Sequence, residues 1–239
     1  MWWLLTRNNG GIEIDMNRSF YVGDAAGRPG DFSDSDLKFA LNLGIRFSTD
    51  VRMKNETFPK PVHPLELAHC FDKYLNENEV EPIAEQEMII FVGPPASSKS
   101  SLTKKFPDYI VANQDELKTK AKVIGVAKKA LSDGNSVIID RKNEYIVDRA
   151  EFIDIANEYD VPVRIIWIDM PRDLSEHLAT YREIMTGKHI PAIVFNKYYS
   201  KTKGLERPSE EEGAVVIKLY FKIDVDMIKN PSIFFNYLI

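Results

Sequence analysis

Cysteine is almost absent. Cys70 is the one thiol among 239 residues, which excludes a disulfide within the chain and points to a reducing compartment, the nucleus or alternatively the cytoplasm. Long apolar runs are missing as well. The opening Met1-Trp2-Trp3-Leu4-Leu5 gives way at once to Thr6-Arg7-Asn8-Asn9, and no stretch approaches the roughly 18 apolar residues of a membrane span, so neither a signal peptide nor a membrane partner is expected. Histidine is scarce too. His63, His69 and Cys70 lie near one another in sequence, but no second cysteine or carboxylate cluster completes a metal set around them. There is no excess of positive charge. A formal net charge of -5 excludes a protein that coats nucleic acid through its overall field, while leaving room for a local groove. Lys104, Lys105, Lys118, Lys120, Lys122, Lys128 and Lys129 are concentrated in one stretch, which reads either as such a groove or as a solvated helix face. Internal repeats and low-complexity tracts are absent.

What is present is a globular composition, with 44% hydrophobic and 28% charged residues mixed along the chain. The length exceeds one ordinary domain and falls short of two complete ones, so one full domain plus a fragment is expected. Residues 51–86 carry Pro59, Pro61, Pro64 and Pro82 and read as a linker holding one helix near Leu65 to Tyr74. Residues 1–50 then form the fragment and residues 87–239 the domain.

Within the domain, β-rich runs alternate with amphipathic segments. Strands are predicted over Met88 to Val92, Tyr109 to Ala112, Ser136 to Ile139 and Val163 to Ile168, with a late one over Ala214 to Ile223. Helical segments begin at Lys99, Gln114, Val147 and Arg172. Leu117, Ala121, Ile124, Ala127 and Leu131 recur at helical spacing, as on a helix laid against a sheet. The fold class that follows is α/β, built of βαβ units with a mostly parallel sheet.

The first predicted strand runs into Gly93-Pro94-Pro95-Ala96-Ser97-Ser98-Lys99-Ser100-Ser101, nearly the G-x-x-x-x-G-K-[ST] loop that cradles nucleotide phosphates. Such a loop needs backbone N–H groups facing the phosphates, a helix N-terminus that favours anions, a lysine for the β/γ oxygens and a hydroxyl for Mg²⁺. Gly93, Lys99 and Ser100 meet those needs; Ser98 stands where the second glycine belongs. Asp115, past the second strand, sits where a general base would take a proton from an attacking hydroxyl, or else caps the next helix. Asp140, at the end of a third strand, is placed to hold Mg²⁺, and Arg182 to cover a transferring phosphate.

In order and spacing, Gly93 to Ser101, Asn113-Gln114-Asp115, Ile139-Asp140, Arg149-Ala150, Val161-Pro162-Val163-Arg164, His177, Tyr181-Arg182-Glu183, His189-Ile190-Pro191 and Pro208 with Glu212-Gly213 resemble the kinase domain of the polynucleotide kinase 3′-phosphatases. Phe20 to Arg28, Asp31 to Asp36 and Phe39 to Asn42 resemble the last acidic motif of that family's haloacid-dehalogenase-type phosphatase domain. The resemblance implies a P-loop kinase domain that uses ATP and Mg²⁺ to phosphorylate 5′-hydroxyl ends of DNA, or of RNA, in strand-break repair alongside repair partners. By it, residues 93 and 97–101 cradle the nucleotide, Lys99 binds the β/γ-phosphates and Ser100 binds Mg²⁺. Asp115 activates the 5′-hydroxyl, Arg182 stabilises the transferring group, and Asp24 with Asp34 or Asp36 holds the phosphatase metal.

Four positions depart from the family pattern: Ser98 for glycine, Gln114 for arginine, Arg141-Lys142 for an Asn-Thr pair and Thr180 for a first lid arginine. These departures would favour a non-catalytic protein that binds nucleic-acid ends or a repair partner, and the loop alone would also permit a kinase of a small metabolite. Upstream of Gly23 no D-x-D-G-[TV] motif occurs, so 3′-phosphatase activity is expected to be lost for want of the attacking carboxylate.

Overall fold

The computed structural model describes residues 8–49 and 80–220, which fall into two compact units. The helix expected near Leu65 to Tyr74, the His63/His69/Cys70 group and residues 221–223 of the late strand lie outside the described residues. Among those described, no helix is long and apolar enough to cross a membrane.

The smaller unit is a β-α-β element. Strand β1 (Phe20–Val22) pairs in parallel with β2 (Arg46–Ser48), and α1 (Ser35–Leu43) connects them. Ala40, Ile45 and Phe47 form its core with Tyr21 and Leu37 against them. Gly44 ends α1 at φ 66°, and its N–H returns to the Ala40 and Leu41 carbonyls, a left-handed closure that glycine adopts without a Cβ penalty.

The larger unit is a five-stranded parallel sheet wrapped by helices. Its elements run β3 (Met88–Val92), α2 (Lys99–Leu102), β4 (Ile110–Asn113), α3 (Gln114–Leu117), α4 (Lys120–Ser132), β5 (Val137–Asp140), α5 (Ile146–Glu158), β6 (Val163–Asp169), α6 (Arg172–Thr186), α7 (Ala192–Tyr198) and β7 (Val215–Tyr220). The strand order is β4-β5-β3-β6-β7, every pair parallel. β3 is therefore central, and its five side chains are all fully buried. Met88, Ile90 and Val92 point to one face, joining Val123, Ala127, Leu131, Phe152 and Trp167; Ile89 and Phe91 point to the other, joining Phe106, Ile166, Ile168 and Leu174. Burial on both faces explains why the strand reads as a continuous apolar run, each large side chain contributing about 1.5–3 kcal/mol.

The stripe expected from Leu117 through Leu131 meets the sheet at Leu117, Ile124, Ala127 and Leu131 but is interrupted at Ala121. Lys118 adopts φ 70° and ends α3, and Thr119 starts a new helix, its hydroxyl accepting the Lys122 N–H. Ala121 is thereby exposed, and the buried face of α4 is Val123, Ala127, Ala130 and Leu131, with Ile124 packed beside it. Four lysines of the lysine-rich stretch meet acids. Lys120 pairs with Asp148 and Glu151, Lys128 with Glu158, Lys129 with Asp133 and Lys105 with Glu81, the pattern of a solvated face with acids interleaved.

Candidate active site

The loop after β3 turns twice through left-handed backbone, at Ala96 (φ 57°) and Ser98 (φ 61°). An L residue there carries a cost of about 1–2 kcal/mol, the physical reason glycine is favoured at the position Ser98 occupies. The Ser98 side chain itself is exposed, so its Cβ finds room. Gly93 has none: a Cβ would meet the Ser97 hydroxyl at 2.8 Å and Ile168 of β6 at 3.2 Å. Left-handed turns followed by a helix start are the backbone pattern of loops suited to anions.

Lys99 folds back over this loop. Its ammonium donates to the Gly93 and Pro94 carbonyls, both at 2.8 Å, and to Ser97 Oγ at 3.1 Å. Burial pushes its pKa down to about 8; the nearby Asp140 carboxylate opposes the shift, and Lys142 and Arg182 add to it. Although the side chain as a whole is half-buried, the ammonium is enclosed, which is what sets the shift.

Ser100 Oγ donates to Asp140 Oδ2 at 2.9 Å, and Asn113 Nδ2 donates to the same oxygen at 2.7 Å. Asp140 is buried at the C-terminal end of β5, next to β3 in the sheet. A hydroxyl and a carboxylate meeting at the phosphate loop form a hard oxygen donor pair of the kind Mg²⁺ takes. Among the described residues no group of three or more His, Cys, Asp or Glu side chains is disposed to hold a metal, so the remaining ligands of such an ion would be water and phosphate.

Asn113 was missed in the sequence. It also caps α3, its Oδ1 accepting the Asp115 and Glu116 N–H groups at 2.8 and 3.2 Å. The capping alternative for Asp115 therefore falls to Asn113, and the preference of asparagine for a strand-to-helix junction is the signal that would have found it. Freed of that duty, Asp115 turns to solvent and meets Lys188, from the segment after α6, at 3.0 Å. That ammonium holds the Asp115 carboxyl below its usual range, with partial burial opposing. Arg182, on α6, acts electrostatically on both Asp115 and Lys99, and its Nε is buried without a hydrogen-bond partner. Ser175 Oγ donates to the Pro95 carbonyl at 2.7 Å, fixing the start of that helix to the phosphate loop.

Of the departing positions, Thr180 and Arg141 have structural partners of their own and Gln114 does not. Thr180 donates to the Glu176 carbonyl within α6. Arg141 lies 5.6 Å over the Phe152 ring and 3.8 Å from Asp148, with Nε and Nη1 lacking hydrogen bonds. Gln114 keeps a buried Oε1 without a partner.

In the smaller unit the three aspartates diverge. Asp36 accepts the Ala25 N–H at 3.0 Å and the Tyr21 hydroxyl at 3.2 Å, in space that a Cβ at Gly23 would fill. Asp34 pairs with Lys38 at 2.9 Å. Asp24 offers its carbonyl to Arg28, whose guanidinium is bonded to Asp31.

Residues 1–53 match the family described as "Polynucleotide kinase 3 phosphatase", and residues 88–204 match the family described as "AAA domain". The chain is 38% identical over 210 residues to the bifunctional polynucleotide phosphatase/kinase of Schizosaccharomyces pombe, a match covering 84% of this chain and 50% of that protein. A relative from Acanthamoeba polyphaga mimivirus, described in similar terms, is 33% identical over 246 residues, covering 90% of this chain and 58% of its own length. The chain thus spans about half the length of these relatives. Among solved structures, the APS kinase CysC of Mycobacterium tuberculosis is 13% identical with a TM-score of 0.38, covering 56% of this chain and 88% of that one.

Proposed function

We propose that this chain, which belongs to the bifunctional polynucleotide phosphatase/kinase family, moves the γ-phosphoryl group of ATP to the 5′-hydroxyl end of a polynucleotide. The observation that carries the proposal is the meeting of Lys99, Ser100 and Asp140 at the C-terminal edges of two adjacent parallel strands, where open α/β sheets bind their ligands. ATP supplies the phosphoryl group and Mg²⁺ the charge that balances it.

The residues of this chain have separable tasks. Lys99 exchanges its loop carbonyls for phosphate oxygens, while Ser100 and Asp140 would hold the cation. Asp115 accepts the proton as the hydroxyl oxygen bonds to phosphorus and the bridging oxygen leaves on ADP. Arg182, with a donor still unpaired, offsets charge on the group in transit. Asp24, Asp34 and Asp36 remain candidate metal ligands only together with a nucleophilic carboxylate, and the 239-residue chain is proposed to lack 3′-phosphatase activity for want of one. Strand-break repair in the nucleus is the setting we assign to the kinase.

Transfer of labelled γ-phosphate from ATP to a 5′-hydroxyl oligonucleotide tests the proposal. Turnover lost in Lys99→Ala is expected; labelling that is equal in the two proteins would refute it.

A further inference from the structure

Three residues beyond Asp140, the loop after β5 turns inward. Asn143 is 2% exposed and takes a left-handed φ of 47°, a conformation that asparagine tolerates better than most residues. Its Nδ2 donates to the Phe91 carbonyl of β3 at 2.8 Å and, more loosely, to the Ile139 carbonyl of β5 at 3.4 Å. Two carbonyl acceptors fix which end of the amide faces the strands. The side chain thus ties together the ends of the two strands that carry the site. Phe91 lies two residues before Gly93, where the phosphate loop starts, and Ile139 lies directly before Asp140.

This arrangement has costs. The Oδ1 of Asn143 is buried without a hydrogen-bond partner, and both that and the left-handed backbone work against folding. Such features persist where the surrounding structure holds them, and here it does so from several directions. Arg149, fully buried on α5 and paired with Glu212, donates from Nη1 to the Asn143 carbonyl at 2.9 Å. The next residue, Glu144, is also buried; its side chain pairs with Lys197 of α7 at 2.6 Å and its carbonyl accepts the Glu206 N–H at 2.8 Å. The backbone at Asn143 is therefore anchored, and its side chain carries that anchorage to the strand ends.

No hydrogen bond joins Asn143 to Ser100 or Asp140, so it acts only through the backbone that bears them. Resting on the metal-holding role proposed above for that pair, we infer that Asn143 is a positioning residue for phosphoryl transfer: by pinning the end of β3 to the end of β5 it sets the 2.9 Å meeting of Ser100 with Asp140. Mg²⁺ tolerates little error in the placing of its ligands. A small slip between the strand ends would therefore cost more in metal binding than in folding.

Calorimetric titration of ATP into the full chain, with and without Mg²⁺, tests this in wild type, Asn143→Gly and Asn143→Asp, beside melting curves of the same samples. Glycine keeps the left-handed φ and deletes the clamp; aspartate keeps the shape but, ionised, has no donor. The factor by which Mg²⁺ tightens ATP binding should fall about tenfold in both variants, with Mg²⁺-free affinity close to that of wild type. A lowered melting temperature with that factor unchanged would mean a role in folding alone and overturns the inference. A wild type whose ATP affinity does not respond to Mg²⁺ overturns the metal-holding reading of Ser100 and Asp140 first, and the inference with it, so the two failures are told apart. Should neither variant fold, exchange of the Asn143 side-chain amide protons in wild type decides. Protection that rises when Mg²⁺ joins ATP supports the positioning role, because coupling between metal and clamp is reciprocal, and protection that Mg²⁺ leaves unchanged overturns it.

Discussion

The hydroxyl of Ser100 and the carboxylate of Asp140 meet at 2.9 Å across 40 residues of sequence, because β3 and β5 are neighbours in the sheet and both end at the same edge. Ser100 and Asp140 are the residues that would hold Mg²⁺. Asp140→Asn should weaken ATP binding about 10–100-fold in the presence of Mg²⁺ and leave Mg²⁺-free binding unchanged. Calorimetric titrations with and without the metal check this, and equal losses in both would remove Asp140 from the metal site.

Lys99 gives the site a pH dependence with a defined sign. Its ammonium is the form that binds phosphate, and in the ligand-free protein it is lost as pH rises through about 8. ATP affinity should therefore fall across pH 7 to 9.5, and Lys99→Arg should abolish that fall because guanidinium stays charged. Stability moves the other way. The folded pKa lies below the unfolded value near 10.5, so the unfolded chain binds more protons between about 8 and 10.5, and this group stabilises the free protein as pH rises through that window. Affinity profiles for the two proteins, with melting curves on the same samples, test both halves.

Ser98→Gly should raise ATP affinity, because glycine takes the φ of 61° without strain and frees the loop to close on phosphate. The effect on melting temperature should be small, since relief of about 1 kcal/mol in the folded loop is offset by the greater freedom of glycine in the unfolded chain. Unchanged or weaker affinity would show that the serine is already accommodated.

The central strands were legible in the sequence. Met88 to Val92 is apolar at every position because both faces are covered, and the helical segments at Lys99, Gln114 and Arg172 begin where the sequence places them. The α3–α4 break was not legible, because Ala121 fits an apolar stripe as well as it fits an exposed turn, and the left-handed Lys118 leaves no composition signal. Lys99, Ser100 and Asp140 were found from motif and strand ends. Asn113 and Lys188 were not, because their partners Asp140 and Asp115 lie 27 and 73 residues away and only the folded sheet brings them together.

Arg149 is fully buried and grips Glu212 through two hydrogen bonds of 2.7 Å, with a third from its Nη1 to the Asn143 carbonyl. Removing one partner strands a buried charge. Glu212→Gln should therefore destabilise the larger unit by about 3–5 kcal/mol, measured by denaturant unfolding, while a loss under 1 kcal/mol would mean that the pair is solvated in solution.

Asp115 tests the account most directly. Asn113 caps α3 and Lys188 pairs with Asp115 at the exposed surface, so Asp115→Asn should leave the melting temperature and ATP affinity nearly unchanged. As the proton acceptor it should matter far more to the reaction. The measurement is the turnover number for γ-phosphate transfer from ATP to a 5′-hydroxyl oligonucleotide, in wild type and Asp115→Asn. The account predicts a fall of about 10²–10⁴-fold in the variant; an Asp115→Asn protein as active as wild type, or a wild type with no turnover despite binding ATP, would contradict it.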